Sequence, residues 1–287
     1  MNWLLEQEPW IRLGGFTGVL AALAIWEILA PRRSLSISKP YRWFNNLGIV
    51  ALDTLAVRLI FPTAAVGVAL LAETREWGFW HLLEFPFWLK VVLSMIVLDF
   101  TIWAQHVMFH AVPALWRLHR MHHADLDFDV TTGLRFHPLE IVLSMVIKAG
   151  VILMLGAPAV AVLLFEVLLN ATSMFNHSNV RLPRHIDRVV RWLVVTPDMH
   201  RVHHSWHPNE TNSNFGFNLP WWDRLLGTYQ GQPREGHESM TLGLNLFRDP
   251  AASRLDRLLI QPMIGPTHSY PINQREPTDT KPTERSK

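Results

Sequence analysis

Nine of the chain's fifteen histidines fall in four short strings. These are His106-Val-Met-Phe-His110, His119-Arg-Met-His122-His123, Asn176-His177-Ser178-Asn179 and His200-Arg-Val-His203-His204. Residues three or four apart on a helix share a face, with Cβ atoms roughly 5–6 Å apart. Each HxxxH or HxxHH string is therefore a ready-made pair or triplet of nitrogen donors for a metal. Neutral imidazole suits zinc, copper, iron and nickel. A catalytic zinc needs three protein ligands and a structural one four, so nine convergent histidines exceed one ion's demand and fit a binuclear centre.

Other chemistries lack their signatures. There is no HExxH for a zinc protease and no Glu-x-x-His pair for a carboxylate-bridged di-iron bundle. With no cysteine in the chain, thiol catalysis, iron–sulfur clusters and disulfides are excluded. A metal transporter would place polar ligands near the bilayer midplane, whereas these strings fall at the ends of apolar runs. An all-nitrogen binuclear site that activates O₂ fits best, although the donor atoms alone do not choose iron over zinc.

The elements that carry these strings are apolar helices. Hydrophobic residues make up 49% of 287, and the mean hydropathy of +0.13 reflects concentrated runs. The first run spans about residues 14–30 and ends at Pro31-Arg32-Arg33. The segment before it lacks the basic start of a signal peptide. The second covers about 47–72, broken near Arg58 and Pro62, and the third runs from Phe87 to His110. Residues 141–175 are apolar for longer than the roughly 20 residues one span requires. Gly156-Ala157-Pro158 divides them into two helices, either both spanning or forming a re-entrant hairpin. Thirteen tryptophans against three tyrosines, many at run ends, suit an interfacial aromatic belt.

Arg32, Arg33, Lys39 and Arg42 follow the first run, so the positive-inside rule places residues 31–46 in the cytoplasm. Counting spans onward brings all four histidine strings to that same face. The expected fold is thus an all-α integral membrane bundle of about four to five hydrophobic helices with a cytoplasmic, histidine-rich helical cap. It forms one domain over residues 1–265, followed by a disordered tail, 266–287, rich in Pro, Thr, Glu and Lys. Arg181, Arg184, Arg188 and Arg191 recur at helical spacing among Ile186, Val189, Trp192 and Leu193, as in an amphipathic interfacial helix. This stripe suits anionic lipid headgroups, with docking of a soluble electron donor as the alternative. The net charge of +2 comes with no Lys/Arg block, so nucleic acid is not an expected partner.

Beyond the histidines, five strings carry a resemblance. They are Trp116-Arg-Leu-His-Arg-Met-His-His123, Thr131-Thr-Gly-Leu-Arg-Phe-His-Pro-Leu-Glu140, His177-Ser-Asn, Thr196-Pro-Asp-Met-His-Arg-Val-His-His204 and Asn214-Phe-Gly-Phe-Asn-Leu-Pro-Trp-Trp-Asp-Arg-Leu-Leu-Gly-Thr-Tyr229. Eight residues separate His110 from His119, and 76 separate His123 from His200. Over about residues 90–230 the chain resembles the fatty acid hydroxylase / sterol desaturase superfamily of membrane di-iron enzymes, nearest its sterol desaturase and alkylglycerol monooxygenase branch.

The resemblance implies that His106, His110, His119, His122, His123, His200, His203 and His204 hold two irons, with His177 as a ninth ligand. His137 is either a tenth ligand or a brace. It also implies O₂-dependent hydroxylation of a C–H bond in a sterol-, ether-lipid- or fatty-acyl-type substrate. Desaturation at the same site is the alternative. A zinc-dependent membrane hydrolase and a non-catalytic metal-binding protein are the readings from other classes. No His-Pro-Gly-Gly or Gly-rich nucleotide fingerprint is present, so electrons are expected from a separate cytochrome b5-, ferredoxin- or reductase-like protein.

Acids and amides sharing a helix face with the strings are candidate acceptors that orient ligand imidazoles. Asp99 lies seven residues before His106, and Asn170 and Glu166 precede His177 by seven and eleven. Asp125, Asp127 and Asp129 follow His123, and Asp198 precedes His200. His81 is expected at the outer interface, and His185, His207, His237 and His268 at the surface.

Overall fold

Prolines punctuate the chain at most helix boundaries. Proline lacks the amide that a helix interior needs but is tolerated in the first turn. Pro40, Pro113, Pro138, Pro197 and Pro208 accordingly occupy first turns, while Pro86 and Pro158 immediately precede helices.

The computed structural model describes residues 2–267 and 270–274. Its order is α1 (Asn2–Glu6), α2 (Glu8–Leu29), α3 (Lys39–Ile60), α4 (Ala65–Arg75), α5 (Phe87–Ala111), α6 (Pro113–His123), α7 (Pro138–Leu155) and α8 (Ala159–Asn176). Short helices follow: α9 (Arg184–Val190), α10 (Pro197–His203), α11 (Pro208–Thr211), α12 (Trp221–Leu225) and α13 (Leu255–Ile260). Among the described residues two isolated bridges are the only β pairing.

Five segments are long and apolar enough to cross a membrane: Glu8–Leu29, Lys39–Leu82, Phe87–Ala111, Pro138–Leu155 and Ala159–Asn176. The chain is a multi-pass, all-helical membrane protein. The second segment is two helices, because the chain leaves α3 at Phe61 and Pro62 prevents its continuation before α4. α7 and α8 have 18 residues each, about 27 Å at 1.5 Å per residue, close to a hydrocarbon core of about 30 Å. Gly156 closes the turn between them with φ +64°, and its amide returns to the Ile152 carbonyl. A Cβ there would stand 2.3 Å from the Trp77 carbonyl oxygen, so Trp77 and Gly156 mark one end of the bundle.

The histidine-bearing segments gather at the opposite end. There Pro31 bridges Val180, and the Arg32 amide donates to the Asn179 carbonyl. The main apolar core joins α4, α5, α7 and α8 through residues such as Ala69, Leu98, Ile152 and Leu163.

One expectation changes, and one basic residue gains a role the sequence did not show. Arg42, counted among the basic residues after the first run, lies in α3 and is fully buried, paired with Asp125 and Asp129. The packed chain also continues past residue 265. Tyr270 is buried, stacks on Trp116 with ring centroids 5.6 Å apart, and donates from its hydroxyl to the Trp206 carbonyl. Residues 275–287 of the expected tail, and His268, lie outside the described residues.

Candidate metal centre

The break at Val112-Pro113 turns the chain between α5 and α6, so the end of α5 faces the whole of α6. α10 is capped by the Thr196 side chain, which accepts from the Met199 amide. It brings its three histidines against those of α5, α6 and the end of α8.

The nine histidines form two groups. His106, His110, His119, His123 and His203 make one, and His122, His177, His200 and His204 the other. Within each group one ring nitrogen per residue lies within 4.8 Å of the others, and all nine side chains are buried. The two HxxHH triplets are split in complementary fashion. α6 gives its i, i+4 pair His119/His123 to the first group and His122 to the second. α10 gives His203 to the first and the i, i+4 pair His200/His204 to the second.

Hydrogen-bond bookkeeping tests whether a cation fits. A carbonyl oxygen only accepts, so an imidazole nitrogen facing one must carry the proton. His106 Nδ1 donates to Phe215 O at 2.7 Å, His203 Nδ1 to Ser213 O at 2.7 Å, His177 Nδ1 to Ser173 O at 2.7 Å and His122 Nδ1 to Arg135 O at 3.2 Å. In neutral rings their Nε2 atoms are then bare lone pairs. Yet His106 Nε2 and His203 Nε2 stand 3.0 Å apart, and His122 Nε2 and His177 Nε2 stand 3.1 Å apart. Two lone pairs repel at that distance unless a cation lies between them. Donors about 2.1 Å from one ion and at right angles to each other would be separated by about 3.0 Å. His110 Nε2, both nitrogens of His123, His200 Nδ1 and His204 Nε2 are buried with no hydrogen-bond partner. The donor set fits two metal ions.

Burial also keeps the rings in their ligand form. Desolvation pushes the imidazoles of His119 and His177 down to about 3. It also drives those of His122, His123, His200, His203 and His204 well below the ordinary value, with neighbouring histidines adding to the shift.

The groups that orient these rings are mostly not those expected. Glu140 accepts from His119 Nδ1 at 2.7 Å, and Asn212 Oδ1 lies 3.1 Å from His110 Nδ1. Asp223 accepts from the Phe215 and Gly216 amides, both at 2.8 Å, and so fixes the carbonyl that orients His106. Glu140 had one legible signal, an acid in the first turn of a largely apolar helix. The backbone carbonyls had none.

Among the described contacts, Asp99, Asp127, Asn170 and Asp198 do not hydrogen-bond an imidazole of either group. Asp99 shares a face with His106 but sits about 10 Å along the helix from it, where it accepts from Trp222 Nε1 at 2.7 Å. Asp127 accepts from the Ser36 and Ile37 amides. Asn170 donates to the Glu166 carbonyl, and Glu166 pairs with Arg12 and Lys148. Asp198 is two residues from His200, about 200° around the helix, and pairs with Arg32 and Arg201.

Asp125 and Asp129 neutralise Arg42 instead of meeting histidines. Burial opposes the charged form of Asp125, but Arg42 and Arg135 overcome it and hold the carboxyl below its ordinary range. His137 stands outside both groups as the cap of α7, its Nδ1 accepting from the Leu139 amide. His237, expected at the surface, is buried. His81 and His185 are exposed, and His207 contacts Glu235 at 3.0 Å.

A cavity of about 470 Å³ leads from the first group into the bundle. His106, His119, Phe136 and Phe217 line it beside the histidines, and Ile102, Met145, Leu169, Arg12, Lys148 and Glu166 are among the residues lining the rest. Lys148 is eight residues beyond Glu140 on α7, about 12 Å away.

Residues 91–228 match the fatty acid hydroxylase family model. The chain is 28% identical over 225 residues to ornithine lipid hydroxylase OlsE of Rhizobium tropici, covering 76% of this chain and 67% of that protein. It is 25% identical over 213 residues to alkylglycerol monooxygenase of Xenopus tropicalis, covering 70% and 45%. With cholesterol 25-hydroxylase of Rattus norvegicus it shares 26% identity over 146 residues, covering 50% and 47%. The chain thus spans about half the length of the latter two. No solved structure matches. The family match lies over the segment that bears all nine clustered histidines, so residues 91–228, a little under half of the chain, are similar to the fatty acid hydroxylase family.

Proposed function

We propose that this protein is an O₂-dependent di-iron lipid hydroxylase. The observation that carries the reading is the pairing of five and four buried imidazoles, lone pairs converging, at the end of a largely apolar cavity. The first group would hold one iron and the second the other. Iron over zinc follows from the family, whose relatives are named as hydroxylases and monooxygenases.

Bound iron supplies the redox chemistry by which O₂, two electrons and two protons convert R–H to R–OH and water. The chain's own residues do the rest. Backbone carbonyls fix the tautomers of His106, His122, His177 and His203, and Glu140 that of His119. Phe136 stacks on His122 with centroids 4.4 Å apart, and Phe217 lies 5.1 Å from His106, so both help to keep water from the reacting carbon. Among the cavity residues, Thr54 and Arg58 are exposed on a membrane-spanning helix, consistent with lateral entry from the bilayer. A sterol-, ether-lipid- or fatty-acyl-type substrate fits this shape.

Arg32, Arg33 and Lys39 on the histidine side favour a cytoplasmic site. The electrons come from a separate cytochrome b5-, ferredoxin- or reductase-like donor. The residues through 265 act as one catalytic domain, with the segment around Tyr270 packed onto it.

The test compares lipids, by mass spectrometry, from iron-replete aerobic cells carrying the wild-type chain or His203→Ala. A wild-type-only lipid gaining one oxygen, with about two irons per purified chain, supports the proposal. A loss of two hydrogens instead identifies a desaturase. Full activity of a zinc-loaded, iron-free preparation would overturn it.

A further inference from the structure

A second basin, of about 800 Å³, lies outside the two histidine groups at the same end of the bundle, with His237 in its lining. Six arginines line it: Arg32, Arg181, Arg184, Arg188, Arg191 and Arg224. They face only three acids, Asp187, Asp198 and Glu238. The arginines come from three separate stretches of chain. Arg32 follows the first membrane span, four belong to the segment around α9, and Arg224 lies on α12.

The basin is built, not a loose patch. The Arg224 guanidinium lies 3.9 Å from the ring centroids of both Trp192 and Tyr229 and donates to the Arg191 carbonyl. Arg191 pairs with Asp187 and donates to the Tyr229 hydroxyl at 3.2 Å. Nε of Arg191 and Nε of Arg224 are nevertheless buried donors with no partner. Among the described residues the exposed side chains of Arg184 and Arg188 make no hydrogen bond or salt bridge, and Arg184 acts on Glu238 only through its charge.

α9 and the residues after it expose an apolar stripe beside their charges. The polar Asp187 of α9 is buried, as is Arg191 just beyond it, while Val189, Trp192 and Leu193 are 63%, 58% and 65% exposed. On α12 and after it, Leu225 and Leu226 are exposed as well. Unpaired cations beside an outward apolar stripe are the pattern of an element lying in the membrane interface. Arg32, three residues past the end of the α2 span, sets the basin at headgroup depth.

We propose that this basin binds the phosphate of an anionic membrane phospholipid, with the acyl chains lying along Val189, Trp192 and Leu193. Arg184 and Arg188 supply unspent charge, and the Arg191–Arg224 pair supplies fixed donors. The phosphate would tie the loop after α2 to the α9–α12 layer, behind the histidine groups. This assignment is independent of the reaction at the metal centre.

The test titrates the delipidated full-length protein in detergent with phosphatidylglycerol, phosphatidylcholine of the same chains, or sn-glycerol 3-phosphate, and counts bound molecules by native mass spectrometry. One phosphatidylglycerol is expected to bind at least ten-fold tighter than phosphatidylcholine. Arg184→Gln and Arg188→Gln should each weaken it about five-fold, with phosphatidylcholine binding and melting temperature unchanged. Trp192→Ser should also weaken phosphatidylglycerol. Equal binding of the two lipids, or no effect of either arginine change, would overturn the proposal. Glycerol 3-phosphate binding as tightly as the lipid, and insensitive to Trp192→Ser, would make this a soluble-phosphate site instead. Arginine-dependent binding of an acidic ferredoxin, with phosphatidylglycerol unaffected by the same substitutions, would reassign the basin to a redox partner.

Discussion

Glu140 Oε1 accepts from His119 Nδ1 at 2.7 Å, joining the first turn of a membrane-spanning helix to a histidine 21 residues earlier. Among the described side chains it is the one carboxylate hydrogen-bonded to a ring of either histidine group. It fixes the tautomer that leaves the His119 Nε2 lone pair turned toward the first histidine group. Carboxylate–histidine pairs of this kind commonly set metal affinity by 10–100-fold. Glu140→Gln is therefore expected to lower iron affinity about ten-fold, and Glu140→Ala more, as read by metal titration of the purified protein. Unchanged affinity in both would show that the pair does not tune the site.

Gly133 is close to the second group for a different reason. A Cβ there would stand 2.4 Å from the Ser173 carbonyl oxygen and 3.1 Å from His177 Nδ1. Because the nearer atom is backbone, Gly133→Ala must displace the end of α8. A loss of about 1–3 kcal/mol is expected, together with iron falling toward one per chain, measured by thermal unfolding in detergent and metal analysis. Retention of two irons at wild-type stability would count against this packing.

Arg42 holds together the loop that follows α6. It pairs with Asp125 and Asp129 and donates to Thr132 Oγ1 at 3.0 Å, all in the dry interior. Breaking a buried pair from one side typically costs about 3–5 kcal/mol. Arg42→Met should therefore destabilise by roughly that amount and lower metal content secondarily. The double change Arg42→Met with Asp125→Asn should recover part of the loss in chemical denaturation, and no recovery would argue against the pairing.

His237 gives a pH signature outside the nine clustered histidines. Desolvation, reinforced by Arg201, Arg32 and Arg191 and opposed by Asp198, pushes its imidazole down to about 4. The unfolded chain takes up this proton near 6.5, so the contribution is fully present above that pH. It is lost as pH falls from about 6.5 to about 4, where the folded state also becomes protonated. His237→Gln should thus flatten the decline in stability over this interval by up to a few kcal/mol. An identical pH profile for the variant and wild type would show that His237 is not buried neutral.

Much of the architecture was legible in the chain. Pro31, Pro62, Pro86 and the Gly156–Pro158 turn bound the apolar runs because proline and glycine act locally on the backbone. The helical spacing of the histidines likewise depends only on local geometry. Asp99 misled because helical period reports angle and not depth, so a shared face does not imply a shared contact. Phe215, Ser213 and Ser173 escaped notice because they orient histidines through carbonyl oxygens that every residue carries. The buried pairing of Arg42 with Asp125 and Asp129 joins positions more than 80 residues apart, with nothing in either local pattern to signal the other.

By itself the sequence determined that this is a helical membrane protein with enough clustered imidazoles for two metal ions, since periodicity and apolar run length are local properties. Only the tertiary structure decided which histidine serves which group. On α6, His119 and His123 turn to one side and His122 to the other, and α10 divides its three in the complementary sense. A single helix cannot encode that division, because the two histidine groups exist only where α5, α6, α8 and α10 meet.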